Sequence, residues 1–136
     1  MVQQRISKFA VEPTMELLHK DVTEQIIGAA FEVFKELGYG FLEAVYQKAM
    51  KVELELRGLT AELESQIQVF YKGVHVGHYE ADLFVNRCVI VELKVAREYQ
   101  PSDEAQLLNE LKATGVKVGL LINFGRAKAE VKRMVF

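Results

Sequence analysis

Val89-Ile90-Val91-Glu92-Leu93-Lys94-Val95 has the near-continuous apolar run of a central β-strand covered on both faces. Into that run the sequence inserts one carboxylate and one ammonium, two residues apart. Side chains alternate along a strand, so Glu92 and Lys94 point one way while Val91, Leu93 and Val95 point the other. An unpaired buried charge costs several kcal/mol, roughly, so these two groups must be paired, metal-bound or set at the open end of a sheet.

The stretch before it, residues 76–85, is equally strand-like and carries Asp82. For Asp82 to reach the face of Glu92 the two must oppose each other in an antiparallel pair. A two-residue turn at Asn86-Arg87 would set Asp82 against Val91. An odd-length loop over residues 86–88, or one bulge, sets it against Glu92, and one of these two is predicted.

Upstream, apolar residues recur at helical spacing over residues 16–37, with Gly38 placed to stop the helix. A second helix is predicted from residue 40 or 41 to residue 57, ended by Gly58. Residues 64–71 form the first strand of an antiparallel meander, turning at Lys72-Gly73 into residues 76–85 and then 88–95. Pro101 and Ser102 open a helix over residues 103–114 closed by Gly115, and residues 118–123 follow as a buried strand. Strand, helix, strand implies a parallel crossover, and residues 132–136 add a further extended piece. The order of elements specifies an α/β fold with a mixed sheet and helices on both faces.

A chain of 136 residues, half of them apolar, makes one domain with a sizeable core. Residues 1–14 lack periodicity and read as a flexible leader, leaving the domain over residues 15–136. A single cysteine, Cys88, excludes an internal disulfide framework and fits a reducing cytoplasm. No apolar run approaches membrane-spanning length, so no membrane partner is expected. A net charge of −2 excludes a generally basic nucleic-acid coat, yet Arg126, Lys128, Lys132 and Arg133 gather near the C-terminus as a local basic cluster.

With these elements placed, the sequence resembles the PD-(D/E)xK nuclease superfamily, in particular its group named for a G-x-x-E-x-x-Y motif. The stretches that carry the resemblance are Gly40-Phe41-Leu42-Glu43-Ala44-Val45-Tyr46, Tyr79-Glu80-Ala81-Asp82-Leu83, Val91-Glu92-Leu93-Lys94, Glu104-Ala105-Gln106-Leu107-Leu108-Asn109 and Gly119-Leu120-Leu121-Ile122-Asn123-Phe124-Gly125. Each is weak alone; five in order are specific. The superfamily often has proline before the aspartate, where this chain has Glu80-Ala81-Asp82.

The resemblance implies a restriction-endonuclease-like fold and metal-dependent phosphodiester hydrolysis, on DNA ahead of RNA. Asp82, Glu92, Glu43 and the Leu93 backbone carbonyl would be ligands of Mg or Mn, hard cations that favour oxygen donors. Lys94 would position water and stabilise charge on the phosphate, and Gln106 would orient water or substrate. Gly40, Tyr46 and the basic cluster are the expected nucleic-acid contacts, and a homodimer suits so small a domain. The competing expectation is a catalytically silent module binding nucleic acid or protein on the same fold.

Other chemistries fit less well. His75 and His78 are an odd number apart on a strand, against a zinc site. Gly38-Tyr39-Gly40 lacks the lysine and third glycine of phosphate loops, and no serine has a nucleophile's glycine-flanked setting.

Overall fold

The strand built from the central run, Val89–Lys94, is buried throughout except at half-buried Lys94 and lies in the middle of a five-stranded sheet. The computed structural model describes residues 18–136. The expected leader and the first residues of the expected helix at residue 16 lie outside them. The described elements run α1 (Lys20–Leu37), α2 (Glu43–Leu56), β1 (Ala61–Tyr71), β2 (Val74–Val85), β3 (Val89–Lys94), α3 (Pro101–Thr114), β4 (Val118–Asn123) and β5 (Glu130–Val135).

Strand order in the sheet follows chain order. β1, β2 and β3 form the expected antiparallel meander, α3 carries the chain to β4 in parallel with β3, and β5 returns antiparallel along β4. Helices cover both faces. Ile26, Ala30, Met50 and Leu54 of α1 and α2 pack on Leu83, Val91, Leu93 and Leu120, while Leu107 and Leu111 of α3 pack on Ile67, Ile90 and Leu121. The predicted mixed α/β sheet is the one observed.

The β2–β3 connection meets the register condition. Val85 pairs with Val89 and Leu83 with Val91 around the three-residue loop 86–88, so continuing the register sets Asp82 against Glu92. Asn86 and Arg87 take the left-handed conformation the loop needs, at φ 50° and 51°. The Lys72-Gly73 turn is also as expected, closed by Tyr71 and Val74.

Several boundaries shift by one to four residues, β2 starting at Val74 and β5 at Glu130, and two of the shifts have a visible backbone cause. α2 starts at Glu43, because Gly38 and Gly40 have φ of 70° and 113° and Leu42 is extended, which keeps residues 40–42 out of the helix. β1 starts at Ala61, three residues early. The reason is Glu64, at φ 51°, which sits unpaired between the pairs Leu63 with Leu83 and Ser65 with Ala81. Leu83 and Val85 join the core under α1 and α2, whereas Ala81 and Tyr79 of the same i, i+2 series join the core under α3. The alternation therefore slips in phase at Asp82, opposite Glu64, and the slip hid the start of β1 from a period-2 pattern.

Candidate active site

Past Leu83 and Val91 the β2–β3 backbone ladder stops, and side chains take over its hydrogen bonds. The Leu93 N–H donates to Oδ2 of Asp82 at 2.7 Å. From α2, buried Gln47 donates its Nε2 to the Asp82 carbonyl at 3.0 Å. The aspartate is thus fixed through both its carboxylate and its backbone carbonyl at the point where the two strands part.

Glu92 lies on the α3 face of β3 and is buried, as is Glu110 of α3. The two carboxyls are within hydrogen-bonding reach of each other, and Asp82 is also beside Glu92. Burial first, then Glu110 and Asp82, raises the Glu92 carboxyl far above the ordinary range. Burial likewise raises Glu110, whose Oε2 accepts a 3.0 Å hydrogen bond from Gln106 Nε2. Two ionised carboxylates do not share such a contact, so the pair calls for a proton or a cation between them.

Glu43, at the first turn of α2, is half-buried at the same place. Burial raises its carboxyl, Asp82 raises it further, and Lys94 draws it partly back. Lys94 Nζ lies 3.6 Å from Oδ1 of Asp103, a residue of the first turn of α3. Its ion pair is therefore with Asp103 rather than Glu92. Four elements, α2, β2, β3 and α3, converge here.

Comparison with known proteins gives this constellation a family. The sequence model of the PD-(D/E)XK nuclease superfamily matches residues 20–134. The chain belongs to the PD-(D/E)XK nuclease superfamily. Four chains of solved structures are similar to it. One is the crystal structure of SSO0001, with a TM-score of 0.55 at 15% identity over 90% of this chain and 61% of that one. That likeness is one of fold, and this chain spans about three fifths of the SSO0001 chain's length. No curated protein matches the chain.

The mixed sheet flanked by helices is accordingly restriction-endonuclease-like, and PD-(D/E)XK nucleases generally use divalent metals. The residues here fit such an ion by the chemistry of their donors. Glu92 Oε2 and Glu110 Oε1 are buried oxygens without a hydrogen-bond partner, in a site whose acids raise one another. Among the described residues, no three His, Cys, Asp or Glu side chains are already gathered to hold an ion. Rotation of carboxylates would be needed to close around one.

Several expected site residues sit elsewhere or act differently. Tyr46 is wholly buried, which corrects the expected nucleic-acid contact. Its hydroxyl donates to the Gly38 carbonyl at 2.6 Å and its ring stacks on Phe124 at 4.5 Å, fastening the α1–α2 connection to the core. Gly40 is exposed but three residues ahead of α2, so it presents no helix-terminal amides. The basic cluster is split by strand alternation. Lys132 pairs with Glu104 at 2.6 Å, Arg133 donates to the Leu18 carbonyl at 2.9 Å on the other side of the sheet, and Arg126 and Lys128 stay exposed on the loop before β5.

Sequence reasoning missed Gln47, Asp103 and Glu110. The spacing of Asp103, Gln106 and Glu110 at i, i+3 and i+7 was a visible sign that three polar residues share one face of α3. Gln47 carried no such sign. A cleft of about 640 Å³ was also missed, lined by Tyr39, Arg97, Glu98, Gly125, Arg126 and Ala127 beyond the ends of β3 and β4.

Proposed function

We propose that this chain is a divalent-metal-dependent nuclease that hydrolyses phosphodiester bonds, in DNA ahead of RNA. The observation supporting it most directly is the convergence of Asp82, Glu92, Glu43 and Lys94 at the split between β2 and β3, with buried carboxylate oxygens lacking partners. Asp82, Glu92 and Glu43, with the Leu93 carbonyl, are the groups that would hold magnesium or manganese. Such an ion supplies Lewis-acid polarisation of the phosphate and a more acidic bound water.

The chain's own groups do the rest. Lys94, oriented by Asp103, offers an ammonium to the negative charge that develops on the phosphate. Gln106 acts as a positioning residue, since its amide is engaged with Glu110. The cleft past β3 and β4 offers the Arg97 and Arg126 guanidiniums to backbone phosphates and the exposed Tyr39 ring to a base. Lys128 extends that basic edge. Among the described residues, no helix is long and apolar enough to cross a membrane, and a cytoplasmic setting is part of the proposal. So is a homodimer, checked by mass as a function of concentration.

The test is cleavage of end-labelled DNA and RNA of one sequence, single- and double-stranded, in magnesium, manganese or EDTA. The wild type is expected to cut only with metal, and Asp82→Ala and Lys94→Ala to lose about a hundredfold or more in rate. Binding without cleavage of any substrate would refute the enzyme and favour a silent module, the reading to which the ungathered acids lend weight.

A further inference from the structure

α3 brings to the site a carboxylate that the hairpin alone does not supply. Glu110 is 0% exposed and Glu92 is 4% exposed, and each has one oxygen without a partner, Oε1 and Oε2 respectively. The other oxygen of Glu110 is fixed by Gln106 Nε2. The polar face of α3 lies along the even-numbered residues of β3, Asp103 meeting Lys94 and Glu110 meeting Glu92.

A second buried acid here is costly as pure architecture. Its neighbours Leu107 and Leu111 belong to the core under α3, and an apolar residue at 110 would join them without desolvating a carboxyl. What Glu110 does provide is a second hard oxygen aimed at the same buried space as Glu92, with its rotamer held by Gln106.

We propose that Glu110 is, with Glu92, a direct ligand of the divalent cation, so that the metal centre is completed by α3. This rests on the metal-dependent reading above for the presence of the ion and goes beyond it in the assignment of the ligand. Manganese alone is the probe, titrated calorimetrically into the wild-type chain, Glu110→Gln and Asp82→Ala, with melting curves in EDTA beside each. Glu110→Gln keeps the shape and the acceptor for Gln106 but removes the charge. It is expected to weaken manganese binding at least about tenfold while melting in EDTA at or above the wild-type temperature, because like-charge crowding is relieved.

Unchanged manganese affinity in Glu110→Gln overturns the assignment, whatever its melting temperature. If Asp82→Ala abolishes binding in that case, the metal-dependent reading stands and only the Glu110 ligand falls. If the wild type takes up no manganese at millimolar concentration, both fall. Should Glu110→Gln fail to fold, Glu110→Asp, shorter by one methylene, is expected to weaken binding similarly, and wild-type affinity in that variant overturns the proposal.

Discussion

Asp103 serves two neighbours with its two oxygens. Oδ2 accepts the Gln100 N–H at 3.0 Å in the capping box of α3, and Oδ1 faces Lys94 at 3.6 Å. Asp103→Ala should therefore cost about 1 kcal/mol through the lost cap, read in urea unfolding, and should lower kcat about tenfold as Lys94 loses its anchor. Asp103→Asn keeps a cap acceptor and should recover most of the stability but not the rate; equal recovery of both would mean that Lys94 needs no holder. Glu92 sets a pH trend of its own. Its carboxyl is held above the ordinary value of 4.5 by burial, then by Glu110 and Asp82, so the folded chain binds more protons than the unfolded one above that value. Its stabilising contribution is complete below about 4.5 and is lost as pH climbs toward the raised value. Glu43 and Glu110 shift in the same direction, whereas Lys132 holds Glu104 below the ordinary range and gives the opposite trend at acid pH. In EDTA the melting temperature should fall between pH 5.5 and 8, by the order of a few degrees, and Glu92→Gln should flatten the fall. A flat wild-type profile would contradict the buried acid pair.

Between elements, the decisive joint is where β2 and β3 part and α2 fills in. Gln47 replaces a strand partner for the Asp82 carbonyl, so Gln47→Leu leaves a partly buried acceptor without its partner and should cost roughly 1–3 kcal/mol, measured by denaturant unfolding. A cost within a few tenths would show the carbonyl finding water instead. On the far side of β3, the loops after β3 and β4 touch so closely that a Cβ on Gly125 would lie 2.5 Å from backbone atoms of Ala96. Asn123 binds both the N–H and the carbonyl of Ala96, at 3.1 and 2.7 Å. Gly125→Ala must therefore displace backbone at the end of the strand that carries Lys94, and should impair cleavage more than its cost in melting temperature would suggest. These joints also explain what could be read in advance. β3, the 86–88 loop and the crossover through α3 follow from apolar runs and loop parity, which are local in sequence. The phase slip at Glu64 and Asp82 needs a left-handed residue in mid-strand, and Gln47 acts across 35 positions; neither leaves a periodic trace.

For the molecule as a whole, the site is a point at which separate parts of the fold repel one another. Glu43 comes from α2, Asp82 from β2, Glu92 from β3 and Glu110 from α3, and burial or mutual charge raises three of those four carboxyls. These elements belong to two cores on opposite faces of the sheet, so whatever relieves the repulsion stabilises both at once. A cation held there binds the folded chain and not the unfolded one, which adds about 2.7 kcal/mol at a concentration a hundred times its dissociation constant. Protons compete for the same oxygens, so that gain grows with pH, opposite to the trend in EDTA. Melting curves at pH 6 and pH 8, with and without manganese, should show the larger manganese-induced rise at pH 8, and Asp82→Ala should remove the rise at both. An equal rise at the two pH values would place the bound ion away from these carboxylates, because only a site that must shed protons couples the metal to pH in this way.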